Sequence, residues 1–138
     1  LLSVVEVVVD DAALTGGDVQ LVDSVPLTVT GDAVALQRLL SNLVDNALKY
    51  GGVARVRIRE QDRQAIVEIE DDGPGLPPAE LARVFEPFYR ADASRNLDEG
   101  GVGLGLAVAR SLARAHGGDV ELISRPGGLT ARVSLPLA

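Results

Sequence analysis

Asn42, Asn46, Lys49 and Tyr50 are the residues with the most chemistry to offer at a usable spacing. On a helix turning about 100° per residue they fall on one arc. An amide oxygen there can ligate a hard cation, an ammonium can meet a phosphate, and a ring can cover a base. The same residues also make an ordinary solvated stripe beside a core stripe. A second group, Asp71-Asp72-Gly73-Pro74-Gly75, ends a strand-like run. A carboxylate fixed there can accept from an exocyclic amino group, and glycines let a flat base reach the backbone. The plainer reading is an Asp-Gly/Pro-Gly turn. A third group, Gly101-Val102-Gly103-Leu104-Gly105-Leu106, enters a helix and could offer free N–H groups to phosphate. Its G-x-G-x-G spacing is neither a Walker A loop nor a dinucleotide fingerprint, and a simple hinge would look the same. His116, the single histidine, stands in Arg114-Ala115-His116-Gly117-Gly118 at a helix end, where it complements the dipole. No Ser/His/Asp context surrounds it.

These residues need elements to hold them. Asp32 to Lys49 reads as a helix with Asp32 as N-cap, an apolar arc of Leu36, Leu40, Leu43, Val44 and Ala47, and a Gly51-Gly52 stop. Val53 to Glu60 sets Val53, Arg55, Arg57 and Arg59 against Ala54, Val56 and Ile58, the period of a half-buried strand. Gln61-Asp62-Arg63 turns the chain, and Ala65 to Glu70 returns as a hairpin partner. Leu1 to Ala13 is rich in β-branched valines, yet Ser3 and Glu6 form a capping box and Val5, Val8, Val9 and Ala12 share a helical face. Helix is the favoured reading. Val19–Val22 and Leu27–Thr30 read as short strands joined through Pro26. Pro77 to Val84 reads as a short helix, and Ala91 to Gly100 as a mobile polar loop. The helix that begins at the glycine-rich turn reaches Ala115. Val120–Ser124 and Leu129–Leu135 are strands around Arg125-Pro126-Gly127-Gly128, the second facing Leu129, Ala131, Val133 and Leu135 inward. The order is helices plus hairpins, with little sign of βαβ alternation.

Composition narrows the function classes. A chain of 138 residues, 46% apolar, can bury one core and is most simply one domain. It has no methionine and begins Leu-Leu, as expected of a piece of a longer protein. Its formal charge of −7, with acids and bases interspersed, argues against broad nucleic-acid binding while leaving room for an anionic ligand in a locally positive pocket. The absence of Cys excludes disulfides, a thiol nucleophile and cysteine-ligated zinc. No apolar run approaches the roughly 18 residues of a membrane span.

Four signals occur in one order: N-x-x-x-N-A-x-K-Y at Asn42–Tyr50, D-x-G-x-G at Asp71–Gly75, F-x-P-F-Y-R at Phe85–Arg90, and G-x-G-L-G-L at Gly101–Leu106. Together they resemble the N, G1, F and G2 boxes of the catalytic ATP-binding domain of two-component sensor histidine kinases. His116-Gly117-Gly118 and the closing Leu135-Pro136 are similar to that family's ending. The resemblance runs from Asp32 to the end of the chain. It implies the Bergerat fold, an α/β sandwich of the α+β class with a mixed, mainly antiparallel sheet packed on one face by helices. It also implies one ATP-binding catalytic domain over residues 1–138 with a lid at about 91–100, the phosphoacceptor and dimerisation domain being absent.

Roles follow from the resemblance position by position. Asn46 should ligate Mg²⁺, with Asn42 beside it on phosphate or metal. Lys49 should meet phosphate and Tyr50 should lie near adenine. Asp71 should accept from the adenine amino group, with Gly73, Gly75 and Leu76 in the same box. Arg90 should reach the terminal phosphate, and Gly101, Gly103, Leu104 and Gly105 should form the lid hinge. Asn42, Lys49 and Arg90 are the expected catalytic residues, and ATP and Mg²⁺ the expected cofactors. Hydrolytic relatives carry a general-base Glu at the position of Asn42, and Asp45 points about 100° away from Asn46. Transfer is therefore favoured over hydrolysis. No H-E-x-x-x-P-like segment is present, so the histidine should be supplied by a separate domain of the same parent protein, with a response regulator downstream. The resemblance further implies a cytoplasmic domain whose parent is anchored in the bacterial inner membrane. The family's small hydroxyl residue after a glycine is displaced here: Leu129 follows Gly128, and Thr130 stays off the site. The rival readings are a nucleotide-holding protein-contact module and a hydrolytic ATPase.

Overall fold

Period-two burial builds the sheet and a one-sided apolar stripe builds the helices that cover it. The computed structural model describes residues 1–74 and 105–138. The elements run α1 (Leu2–Leu14), β1 (Val19–Ser24), α2 (Ala33–Gly51), β2 (Ala54–Gln61), β3 (Gln64–Asp71), α3 (Gly105–Ala115), β4 (Asp119–Arg125) and β5 (Gly128–Pro136). The strands form one sheet in the order β1-β2-β3-β5-β4, parallel only between β1 and β2.

In α2, Leu36, Leu40, Leu43, Val44 and Ala47 are buried as their spacing requires, and Leu39 joins them. The Asp32 carboxylate accepts from the Val34 and Ala35 amides at 2.9 and 3.5 Å, satisfying donors that a helix start leaves open. At the other end Gly52 takes φ 76°, and its N–H donates to the Leu48 carbonyl. Ala54, Val56 and Ile58 of β2, Val67 and Ile69 of β3 and Ala131, Val133 and Leu135 of β5 meet this stripe in one core, with Val5, Val8 and Ala12 of α1 and Ala109 and Ala113 of α3. All three helices therefore lie on one face of the sheet. The other face carries Arg57, Arg59, Glu68, Glu70 and Arg132, paired across strands.

Three expectations need correcting. Leu27–Thr30 is no strand: only Val29 forms a bridge, with Leu137. This stretch lies beside the chain's last residues, where Pro136 has no N–H to extend a ladder. The Ser3 and Glu6 capping box does not operate, because α1 starts two residues earlier with Leu1 as N-cap and no side-chain cap bond. And β1–α2–β2 is a βαβ unit, the long α2 providing the crossover that parallel pairing demands. The predicted helix at Pro77–Val84, the aromatic segment Phe85–Arg90 and the loop Ala91–Gly100 lie outside the described residues.

Candidate functional site

α2 positions the first group of site residues. Asn42 and Asn46, one turn apart, are half-buried beside the apolar stripe, and Lys49 and Tyr50 are exposed at the last turn. The Lys49 ammonium lies 5.6 Å from the centre of the Tyr50 ring, within cation–π range.

β3 positions the second. Alternation sends Val67, Ile69 and Asp71 to the helix-covered face and Asp72 to the other. Asp71 is only 6% exposed, whereas the Asp72 carboxylate is open and held by Arg55 at 2.7 and 3.1 Å. Neighbours in sequence thus do different jobs. That Arg55 contact keeps Asp72 below the usual carboxylate range. Burial pushes the Asp71 carboxyl up, and the N–H groups of Gly73 and Leu129 and the Arg125 guanidinium only partly offset this. Asp71 Oδ1 accepts from the Gly73 amide at 2.8 Å.

Two glycines hold the end of α2 against this carboxylate. A Cβ on Gly51 would stand 2.4 Å from the Asp71 Cβ, and one on Gly73 would stand 2.8 Å from the Tyr50 carbonyl oxygen. Gly73 is therefore needed by the protein itself, whether or not a ligand also approaches it. Gly51 was not legible as a site residue, because a Gly-Gly pair after a helix reads as a stop. The signal was that one glycine suffices for the left-handed cap, and Gly52 supplies it.

Asn42, Asn46, Lys49, Tyr50, Asp71 and Gly73 are thus brought together at one end of the sheet, beneath and beside the last turns of α2. Gly105 opens α3. Gly75, Leu76, Arg90, Gly101, Gly103 and Leu104 lie outside the described residues. Thr130 is buried and pairs with Glu70 on the face opposite Asp71. His116 is structural. Its Nδ1 bonds the Leu112 carbonyl at 2.8 Å, and its Nε2 accepts from the Asp32 amide at 3.3 Å, tying the end of α3 to the start of α2.

Comparison with known proteins places the fold. The family model described as histidine kinase-, DNA gyrase B- and HSP90-like ATPase matches residues 31–138. The chain belongs to this family, on its sensor histidine kinase branch. It is 40% identical over 124 residues to the sensor histidine kinase GtrS of Pseudomonas aeruginosa, covering 89% of this chain and 25% of that protein. It spans about a quarter of the length of the curated relatives it matches. Among solved structures, the mycobacterial sensor histidine kinase MprB superposes with a TM-score of 0.87 at 29% identity, over 99% of this chain and 95% of that one. Full-length ShkA, solved in complex with AMPPNP, superposes at 0.79 with 28% identity, over 99% of this chain and 29% of that one. The α+β fold expected from the sequence is the one observed, a mixed sheet with its helices on one face. Among the described residues, no helix of this histidine kinase-type domain is long and apolar enough to cross a membrane.

Proposed function

We propose that this chain binds Mg·ATP and presents its γ-phosphoryl group to a histidine on a separate dimerisation domain of a sensor kinase, from which a response regulator takes it. The observation that carries this reading is the buried Asp71 carboxylate at a strand end, directly under the terminus of the helix bearing Asn42, Asn46, Lys49 and Tyr50.

Asp71 supplies the acceptor for the adenine amino group. Its helix-side burial leaves it little water to compete, and the Gly73 amide fixes one of its oxygens. Tyr50 flanks the base, and Lys49, at the exposed end of the same turn, neutralises phosphate charge. The donor set fits Mg²⁺, a hard cation that needs few protein oxygens: the Asn46 amide oxygen would hold it, with Asn42 beside it on phosphate or metal. Among the described residues no group of three or more His, Cys, Asp or Glu stands together that could cage a metal. When bound, the ion would supply positive charge to offset that of the phosphates. Arg90, Gly75, Leu76, Gly101, Gly103, Leu104 and Gly105 complete the proposed set, with the lid at about 91–100 closing over the phosphates.

Asn42 separates transfer from hydrolysis. A carboxylate at this position could take a proton from water; a neutral amide cannot. The chain's own residues then bind, orient and neutralise, which is most of what phosphoryl transfer asks of a protein. The parent is proposed to be membrane-anchored, with this domain on the cytoplasmic side.

Calorimetry with Mg·ATP on the 138-residue chain tests the assignments. Asp71→Asn should abolish nucleotide binding with or without magnesium, whereas Asn46→Ala should remove chiefly the magnesium dependence. Phosphotransfer to a supplied cognate hairpin domain should occur without rapid phosphate release by the chain alone. Tight binding with no transfer would favour the protein-contact module, and fast release would favour an ATPase.

A further inference from the structure

Arg125 stands at the end of β4, two strands away from β3, and its side chain belongs to the charged face of the sheet, opposite the helices. Its guanidinium nevertheless reaches the end of β3. Nη2 donates to the Asp71 carbonyl oxygen at 2.9 Å and lies 3.5 Å from Glu70 Oε2. The path crosses β5 at Gly128, the register partner of Arg125. A Cβ there would stand 2.2 Å from the Asp71 carbonyl oxygen and 2.7 Å from Arg125 Nη2. Gly127 takes the turn's positive φ of 78°, so Gly128 is free to serve as the lane for this side chain. Arg125 Nε is buried and has no hydrogen-bond partner among the described residues, so the guanidinium is placed for its Nη2 contacts and not for full solvation.

We propose that Arg125 is a positioning residue for nucleotide recognition: by gripping the Asp71 main chain from the far face of the sheet, it sets where the Asp71 carboxylate stands on the helix face. This rests on the reading that Asp71 accepts from adenine. Asp71 is the last residue of β3, so little ladder beyond it limits twisting of its peptide plane. Tilting that plane would swing the carboxylate, which is wedged against Gly51 with no spare room. The guanidinium and Gly51 therefore fix one residue from both faces. Arg125 also acts on the same carboxylate through its charge, pulling down a group that burial pushes up, while Asp72 pushes up slightly.

The test uses Arg125→Gln and Arg125→Lys in the 138-residue chain, beside Asp71→Asn. Two quantities are measured: ATP affinity by calorimetry, and the Asp71 carboxyl titration by carbon NMR without nucleotide. Arg125→Gln should weaken ATP binding by about tenfold, the scale of one charge-assisted hydrogen bond, and move the Asp71 titration upward. Arg125→Lys keeps the charge but not the reach, so its titration should stay near that of the parent while ATP binding still weakens. Parental ATP affinity in both variants would overturn the proposal. So would weakened binding in the Gln variant with an unmoved titration, which would show that Arg125 acts without reaching the Asp71 carboxylate. If Arg125→Gln does not fold, Arg125→Lys decides alone: parental affinity there overturns the assignment. If Asp71→Asn itself binds ATP like the parent, the adenine reading fails whatever Arg125 does.

Discussion

Asp71 is buried for a purpose that works against the fold. Its folded pKa lies above its unfolded value, because burial outweighs the N–H groups of Gly73 and Leu129 and the charge of Arg125. Between those two pH values the native state holds more protons than the unfolded chain, so stability falls as pH rises through that window and stays lower above it. Asp71→Asn keeps an oxygen for the Gly73 amide but has nothing to ionise. At neutral pH this variant should melt higher than the parent, by about 2–5 °C. The two melting curves should converge in acid, and ATP binding should be lost. Thermal melts at pH 7 and pH 3 check this, and a lower Tm at pH 7 would show that burial is not the dominant influence on Asp71. A higher Tm at pH 7 would mean that the residue trades stability for recognition, as site residues commonly do.

At the scale of elements, the β2–β3 hairpin carries a local conflict. Its two turn residues, Asp62 and Arg63, sit at φ 52° and 63°, both left-handed and neither glycine. Between the paired Gln61 and Gln64 this is the geometry that Asn-Gly adopts with least strain. Asp62→Asn combined with Arg63→Gly should stabilise the chain by about 1 kcal/mol and leave the Arg63 carbonyl free to accept from the Leu137 amide. Urea denaturation measures it, and an unchanged midpoint would refute it. The elements were legible wherever one residue's neighbours in sequence decide its environment. The Asp32 cap, the α2 stripe and the alternation of β2, β3 and β5 are all of this kind. They failed to read where the partner is distant. The parallel seat of β1, the bridge in place of a strand at Val29 and the exact start of α1 depend on contacts that no local pattern encodes. In the proposed site, Asn42, Asn46, Lys49, Tyr50 and Asp71 could be singled out because polar side chains stand there beside an apolar stripe or at a strand end. Arg125 could not, since its target lies 54 residues away on another strand. Gly51 and Gly128 were hidden by glycine partners that explained the turn without them.

Across the whole molecule, Glu68 is a central tie on the charged face of the sheet. Glu68 on β3 receives Arg59 of β2 at 3.1 Å and Arg132 of β5 at 3.1 Å, joining three strands. Burial pushes Glu68 up, but those two guanidinium bonds outweigh it and hold the carboxyl below its usual value. The stability this confers is present above the unfolded pKa and is lost as pH falls through the lowered folded one. Glu68→Ala should cost about 1–2 kcal/mol at pH 7, less than a fully buried pair because both arginines are about a third exposed. The cost should shrink in acid, where the parent has lost the charge as well. Urea midpoints at the two pH values check this, and a cost independent of pH would mean the side chain matters for packing alone.

The division of labour between Asp71 and Asp72 has a consequence for how this chain can vary. The two carry the same chemical group, and only parity along β3 decides that one faces the proposed ligand and the other faces solvent. That parity is counted from the hairpin turn, about 24 Å away at the far end of the strand. The strand behaves as a reading frame: adding or removing one residue near Asp62 would leave every letter downstream intact and exchange the meaning of all of them. Val67 and Ile69 would go to the charged face and Glu68 and Glu70 to the core, and the place of Asp71 would fall to Asp72 on removal or to Glu70 on addition. Length in that remote turn is thus as strict a condition on the site as the identity of any residue within it.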